Sequence, residues 1–174
     1  MGVPLNTNSL FPEFEAVGDG QPFAAKIREV TPHNTLFDDF TVEDLHVLGP
    51  FLQVFRAPPQ GVIIAEGDKG DFMVFIVEGE VDVTKKDKHE MVKRIAVVLA
   101  GQALGEMSMI DGESRFATCT AIETTTFAVL SRAALQNLID HQPRLAGKIM
   151  MKLVFMLSQR LRQTSAKLVE YIDK

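Results

Sequence analysis

Short apolar runs separated by turn residues characterise the middle of the chain, from Val62 to Leu130. Six runs rich in β-branched or aromatic residues are the predicted strands: Val62–Ile64, Met73–Val77, Glu80–Val83, Arg94–Val98, Thr118–Ala121 and Phe127–Leu130. Because no helical segment separates them, the pattern favours an antiparallel sandwich or barrel over a parallel sheet. We expect a jelly-roll-like antiparallel β-roll of about eight strands.

A helix-start pattern precedes this strand region. Thr41 stands three positions before Asp44, directly ahead of an apolar stretch, and this spacing is typical of a capping box. We therefore predict a short helix from about Val42 to Leu48, which Gly49 and Pro50 bring to an end.

Helical periodicity replaces the strand pattern after Leu130. Ser131 is the expected cap of a helix from Arg132 to His141, and Pro143 opens a second helix at its first turn. Residues 144–174 then read as one helix of 31 residues, about 46 Å long at 1.5 Å per residue. The predicted fold class is therefore α+β, a β-roll with short N-terminal helices and a long C-terminal helix.

The long helix carries two apolar faces. One suits contact with the β-roll and consists of Leu145, Ile149, Leu153 and Met156. The other steps by four and three residues as a heptad seam, through Met150, Val154, Leu157, Leu161, Thr164, Leu168 and Tyr171. Since one chain offers no partner for the seam, we predict a homodimer of paired helices. A helix folded back on its own domain is the alternative.

The N-terminal part has a mixed composition, and four prolines prevent any long helix there. We expect low order near the start. The predicted organisation is an approach segment at residues 1–35, a β-roll with flanking helices at 36–143, and a dimerisation helix of the same domain at 144–174.

Composition and charge narrow the function classes. The chain of 174 residues is 46% apolar and 24% charged, as expected of a globular protein. Its internal uncharged runs reach eleven residues, whereas a membrane span needs about 20. The chain has one cysteine, and its first residues lack the basic start and long apolar core of a secretory signal. Both features indicate a cytoplasmic location. Net charge is −10 over residues 1–143 and +5 over residues 144–174. The Lys and Arg residues of 144–174 alternate with apolar residues, so a solvent-exposed helix face is favoured over a nucleic-acid-binding surface.

The segment from Ala103 to Thr118 carries the most informative chemistry. Gly105 permits close backbone approach, and the amides of residues 106–108 could donate to an anion. Arg115 suits bidentate phosphate binding, and Glu106 can accept a sugar hydroxyl. A ligand with a phosphate and a ribose would engage all three groups. A simple ion pair between Glu106 and Arg115 is the alternative.

Two motifs resemble the cyclic nucleotide-binding domain family. Leu104-Gly105-Glu106-Met107-Ser108-Met109, followed by Ser114-Arg115-Phe116-Ala117-Thr118, resembles the phosphate-binding cassette of that family. The upstream stretch from Glu66 to Val83, which includes Glu66-Gly67-Asp68 and Val77-Glu78-Gly79, is similar to a second family pattern. The resemblance extends from about Leu36 to the C-terminus.

The resemblance implies a role for each matching residue. Glu106 would bind the ribose 2′-hydroxyl and Arg115 the cyclic phosphate, while Gly105, Met107 and Ser108 would line the cradle. The segment Arg160 to Leu168 resembles the dimer helix of bacterial catabolite activators, which implies that Thr164 and Ser165 contact the adenine. Register control by Thr164 within a coiled coil is the alternative.

The chain departs from the family pattern in two places. Phe116 follows the arginine where similar activators have a hydroxyl residue, so it can offer the phosphate only its backbone amide. The sequence also ends at Lys174, without the DNA-binding domain of the activators.

We therefore expect a stand-alone regulatory sensor and not an enzyme. It would bind cyclic AMP, or cyclic GMP, and need no other cofactor. As a homodimer it would signal to an unidentified effector protein. Binding to nucleic acid or to a membrane is not expected. A ligand-free dimerisation module of the same fold is the alternative.

Other chemistry is less favoured. The four histidines are scattered singly, whereas a cupin-like metalloenzyme would need clustered ligands. Cys119 lies in a predicted strand with no histidine nearby in the sequence, which is typical of a buried, inert thiol.

Overall fold

The computed structural model describes residues 10–33 and 35–172. The strands in these ranges are β1 (Glu15–Asp19), β2 (Gln53–Ala57), β3 (Val62–Ile64), β4 (Phe72–Glu78), β5 (Glu80–Lys86), β6 (Val92–Leu99), β7 (Ala103–Leu104), β8 (Thr118–Ala121) and β9 (Thr125–Ser131). The α-helices are α1 (Ala24–Val30), α2 (Val42–Leu48), α3 (Glu106–Asp111), α4 (Arg132–His141) and α5 (Pro143–Ile172). Single 3-10 turns at Gln21–Phe23 and Gly49–Phe51 complete the described elements.

The nine described strands form two antiparallel sheets. The larger has the order β1-β2-β9-β4-β7 and the smaller the order β3-β8-β5-β6. The longest ladder in the larger sheet pairs β4 with β9, and in the smaller sheet β5 pairs with β6. This arrangement confirms the predicted antiparallel β-roll with flanking helices.

The central strands β4 and β9 of the larger sheet are buried on both faces. Along β4, Met73, Phe75 and Val77 belong to the core beneath the helices, whereas Val74 and Ile76 belong to the core inside the roll. Successive side chains of a strand point to opposite faces, so one strand supplies both cores. This double burial explains why β4 is an almost unbroken apolar run in the sequence.

The predicted caps of the two short helices are confirmed. The Thr41 hydroxyl accepts the Asp44 N–H at 3.0 Å, and the Asp44 carboxylate accepts the Thr41 N–H at 3.2 Å, so α2 begins with a capping box. At α4, the Ser131 hydroxyl accepts the Ala134 N–H at 3.0 Å. Each hydroxyl satisfies a backbone donor that has no partner within the helix.

The described part of the N-terminal segment is ordered. Strand β1 pairs with β2, and Phe11 and Phe14 are buried in the core inside the roll. Contacts of Phe11 with Phe55 and Phe127 tie the segment to the sheet. The low order expected near the start concerns residues that the structure does not describe. Residues 1–9 lie outside the described ranges. The prediction that no long helix forms agrees with α1, which has seven residues.

Helix α5 confirms the predicted long helix, with 30 residues from Pro143 to Ile172. Leu145, Ile149 and Leu153 are buried, as predicted for the face toward the roll. Two lysines secure the first half to the body: Lys148 pairs with Asp44 at 2.8 Å, and Lys152 pairs with Asp38. None of the helices in the described ranges combines the length and apolar character that crossing a membrane requires.

Among the described side chains of the α5 seam, Leu157 is half-buried and the others are exposed. Val154, Leu161 and Leu168 are 61%, 68% and 59% exposed, although each is a large apolar side chain. The side chain of Tyr171, the last seam residue, lies outside what the structure describes. The second half of α5 therefore offers an apolar stripe that its own roll does not cover.

Candidate functional site

Gly105 joins a short strand to a short helix at the centre of the candidate site. Strand β7 pairs with β4, and α3 begins at Glu106 immediately after Gly105. Gly105 has a φ of +78°, in the left-handed region that favours glycine. A Cβ atom there would lie 2.8 Å from Nη1 of Arg115 and 2.9 Å from Cδ1 of Ile64. The chain reversal and the close approach of Arg115 thus both require glycine.

Arg115 is a buried cation held by backbone oxygens. Its side chain donates from Nη1 to the Gly105 carbonyl at 2.9 Å and from Nη2 to the Phe72 carbonyl at 2.8 Å. The guanidinium carbon lies 4.3 Å from the centroid of the Phe72 ring, a cation–π contact. Burial lowers the pKa of Arg115, while Asp71 and Glu106 act in the opposite direction. The two carbonyls occupy two of the five N–H donors of the guanidinium.

Glu106 is a buried carboxylate with one unbonded oxygen. It is 1% exposed, and its Oε1 forms an ion pair with Nη1 of Arg160 from α5. Its Oε2 is buried and has no hydrogen-bond donor among the described residues. The alternative of a Glu106–Arg115 ion pair is therefore wrong, because Arg160 pairs with Glu106 and Arg115 binds carbonyls.

Arg160 is the site residue that the sequence reasoning missed. Its Nη2 also approaches the carbonyl of Ala103 at 3.4 Å, so its side chain spans from α5 to the end of β7. The available signal was its spacing: Arg160 stands four residues before Thr164, on the same face of the helix. Its acidic partner is 54 residues away in sequence, however, and no local pattern indicates such a pairing.

The other predicted site residues have contrasting environments. Ser108 is buried, and its carbonyl accepts Nη2 of Arg132 at 3.2 Å, whereas Met107 is 47% exposed. Thr164 and Ser165 are exposed on α5, one turn beyond Arg160. The structure thus brings Gly105, Glu106, Ser108 and Arg115 together around α3, while the two hydroxyl residues are exposed on α5.

Phe116, the residue after Arg115, lies beside a lysine. Phe116 is 57% exposed, and the Nζ atom of Lys85 lies 4.2 Å from the centroid of its ring. The same ammonium donates to the carbonyl oxygen of Phe116 at 2.7 Å and to Oε1 of Glu66 at 2.8 Å. The position that lacks a hydroxyl therefore has a cation next to it.

Cys119 is buried, as the sequence predicted. It is 4% exposed, and burial raises the pKa of Cys119 to about 12. No group of three or more metal-ligating side chains occurs within residues 10–33 and 35–172.

A cleft of about 350 Å³ adjoins the site at Arg115, which lines it together with Ile64, Asp68 and Phe72. Glu106 is not part of its lining. Because Glu106 is almost fully buried, a ligand reaches its Oε2 only when neighbouring side chains move. A β-roll that buries an arginine and a carboxylate nine residues apart, next to a cleft, has the features of a small-molecule-binding domain.

Comparison with known proteins gives the family. The profile of the cyclic nucleotide-binding domain matches residues 54–142, which is more than half of the chain. The chain belongs to the cyclic nucleotide-binding domain family.

Solved structures agree over most of the chain. A cyclic nucleotide-binding domain from Methylobacillus flagellatus superposes with a TM-score of 0.83 at 34% identity, covering 98% of this chain and 97% of that one. The catabolite activator protein of Thermus thermophilus gives a TM-score of 0.72 at 25% identity, covering 78% and 62%.

A curated relative is a much longer protein. The neuropathy target esterase sws of Drosophila melanogaster is 29% identical over 131 residues, which cover 70% of this chain but 9% of the esterase. The match is thus confined to a small part of that protein.

Proposed function

We propose that this protein is a regulatory sensor that binds cyclic AMP and signals as a homodimer, without catalysing a reaction. The observation that carries the proposal is the buried Glu106, whose Oε2 has no donor among the described residues. Burying a carboxylate oxygen without a hydrogen bond is costly, so a ligand hydroxyl that donates to it would gain binding free energy.

Arg115 is the proposed phosphate clamp. Its guanidinium is fixed by two carbonyls and the Phe72 ring, which leaves N–H donors for a cyclic phosphate. A buried, preoriented cation loses little side-chain entropy on binding an anion. The backbone around Gly105, Met107 and Ser108, together with the amide of Phe116, would complete the phosphate cradle.

Glu106 is the proposed acceptor for the ribose 2′-hydroxyl, next to its partner Arg160. Because Arg160 belongs to α5, a ligand that touches Glu106 also affects the contact between the roll and that helix. Thr164 and Ser165, one turn farther along α5, are the proposed contacts to the adenine. This arrangement would link occupancy of the pocket to the position of the long helix.

The homodimer is supported by the uncovered seam on α5. Val154, Leu161 and Leu168 lie largely in solvent, and pairing the seam with a second copy would remove this apolar surface from water. The heptad spacing suits two helices lying side by side. An effector protein would receive the signal.

Calorimetric titration with cyclic AMP and cyclic GMP tests the proposal. The wild type should bind cyclic AMP, and Arg115→Ala should weaken binding by about tenfold to a hundredfold, because it removes a bidentate, charge-assisted contact. Arg144→Ala is the matched control, since it removes the same charge from an exposed position in the first turn of α5.

The possible outcomes distinguish the two functions. If neither nucleotide binds to the wild type, the protein is instead a dimerisation module that has kept the fold. Phe116, which lacks the hydroxyl of similar activators, is the feature that favours this second function. If cyclic AMP binds equally well to the wild type and to Arg115→Ala, the assignment of the clamp is wrong.

A further inference from the structure

Lys85 continues the inner face of strand β5 toward the cassette. Val81 and Val83 of this strand are buried inside the roll, and Lys85 follows them with the same two-residue period. Across the ladder, Lys85 is paired with Lys93 of β6. Like charges directly opposite one another destabilise a sheet, and the Glu66 carboxylate, whose Oε1 lies 2.8 Å from Nζ of Lys85, supplies a compensating charge.

The ammonium of Lys85 has two described acceptors and three N–H donors. It donates to Oε1 of Glu66 at 2.8 Å and to the carbonyl oxygen of Phe116 at 2.7 Å. A lysine ammonium carries three N–H groups, so one donor remains without a described acceptor. The Phe116 ring packs against the same ammonium, with its centroid 4.2 Å from Nζ.

Glu66 holds this ammonium in place. Its Oε2 accepts the backbone N–H of Lys86 at 3.1 Å, and its own N–H donates to the hydroxyl of Thr118 at 3.0 Å. These bonds fix the carboxylate at both its backbone and its side chain. The hydrogen bond from Lys85 and then the amide of Lys86 lower the pKa of Glu66, so the carboxylate stays charged at neutral pH.

The position of this cation matters because residue 116 follows the proposed clamp. We propose that Lys85 is a second phosphate-binding residue of this site, supplying with its free N–H the donor that Phe116 lacks. The inference rests on the proposed function, since it assigns a further contact to the same ligand. It explains how a cassette with phenylalanine in place of a hydroxyl residue retains a phosphate contact at this position.

Lys85→Met tests the role of the ammonium, and Lys86→Met is its matched control. Lys86 is the next residue in β5, on the opposite face, and pairs with Glu90. We expect Lys85→Met to weaken cyclic AMP binding by about tenfold, the loss of one charge-assisted hydrogen bond, with a smaller loss at high salt. Lys86→Met should bind as the wild type does.

Two further variants separate binding from a structural role. Glu66→Gln keeps the cation but removes its counter-charge, so affinity for the anionic ligand should be retained or increased. In the Lys85→Met background, Phe116→Ser should recover part of the lost affinity, because it restores a hydroxyl donor. Thermal unfolding by circular dichroism, measured on each variant, reports any loss of stability separately from affinity.

Each result decides the inference. Unchanged affinity in Lys85→Met, while Arg115→Ala loses affinity, overturns the role of Lys85 and leaves the proposed function standing. Equal losses in Lys85→Met and Glu66→Gln show that the ion pair only supports the loop, which also overturns it. A wild type that binds neither cyclic AMP nor cyclic GMP overturns the proposed function and this inference together.

Discussion

Two glycines make room for the side chain of Arg115. A Cβ atom on Gly70 would lie 2.5 Å from Nη2 and 2.7 Å from Nε, and a Cβ atom on Gly105 would lie 2.8 Å from Nη1. The guanidinium is therefore enclosed by backbone on two sides. Its orientation depends on the absence of side chains at these positions as much as on its own hydrogen bonds.

Gly70→Ala should weaken cyclic AMP binding without unfolding the protein. The added methyl group displaces the guanidinium from its carbonyl acceptors, and we expect about a tenfold loss, the equivalent of one charge-assisted hydrogen bond. Calorimetric titration measures the affinity. Gly147→Ala is the control: its Cβ has open space around it on α5, and it should raise stability by about 0.5–1 kcal/mol with unchanged affinity. Wild-type affinity in Gly70→Ala would show that Arg115 is not the clamp.

Cys119 should resist alkylation in the folded protein. Burial raises the pKa of Cys119 to about 12, so the neutral thiol is the dominant form at pH 8 and the reactive thiolate is scarce. Iodoacetamide at pH 8 should leave the native protein unmodified and should label it fully in guanidinium chloride. Mass spectrometry measures both states, and rapid labelling of the native protein would contradict the buried environment.

The two halves of helix α5 have different environments. Buried apolar residues and the Lys148–Asp44 ion pair attach the first half to the body. In the second half, Arg160 links the helix to Glu106, while the seam faces solvent. One helix therefore contacts the core and Glu106 of the candidate site, and its seam is the surface proposed for the partner subunit.

Glutamate at Leu157 and Leu161 should dissociate the proposed dimer. Each substitution would bury an unpaired charge at the seam, which costs several kcal/mol, on the order of 3–5 for an unpartnered ion. Light scattering at tens of micromolar should report a monomer for the double variant and a dimer for the wild type. Gln159→Glu with Gln163→Glu adds two charges outside the seam and should leave the dimer intact. A monomeric wild type would rule out the dimer.

At the scale of the whole molecule, the proposed pocket and the proposed dimer share α5. Binding that orders the helix in one subunit would favour its pairing with the other, and by linkage the dimer would favour the ligand. The contact that could transmit this coupling is Glu106–Arg160, because it joins the cassette directly to the long helix.

Replacing Thr164 and Ser165 by alanine should reduce affinity for cyclic AMP and its margin over cyclic GMP. The hydroxyls can serve either base, so the selectivity they confer is modest, and an unmatched buried group costs about 1–3 kcal/mol. The phosphate clamp should remain intact. Titration with both nucleotides measures the margin, and sedimentation with and without cyclic AMP measures dimer stability. If the affinities and the dimer stability of the double variant equal those of the wild type, α5 serves only in dimerisation and does not contact the base.

Much of the fold could be predicted because its signals are local. The capping box at Thr41 and the hydroxyl of Ser131 mark the two short helices, and the bounds of α2 and α4 match the prediction. The apolar periodicity of α5 likewise indicated which face is buried. A cap or a helical stripe lies within a few residues of chain, so the sequence alone is enough to identify it.

Three strands were not predicted, because their pairing partners define them. Strand β7 has two residues and is a strand only through its ladder with β4. Strand β2 lies between β1 and β9, and the segment that forms β1 carries no clear alternation of its own. Backbone groups in such segments are satisfied by distant strands, which a local pattern does not contain.

The candidate site, like the fold, could be predicted only in part from the sequence. Gly105, Glu106 and Arg115 lie within eleven residues, so the sequence marked them as candidates, and the family resemblance assigned them a phosphate and a hydroxyl contact. Only the folded chain decided that Arg160 pairs with Glu106, that carbonyls hold Arg115, and that Lys85 lies against Phe116. Residue types and short spacings can be read directly from the sequence. Groups that are 31 positions apart, such as Lys85 and the Phe116 carbonyl, or 54 apart, such as Arg160 and Glu106, meet only through the packing of the roll and α5.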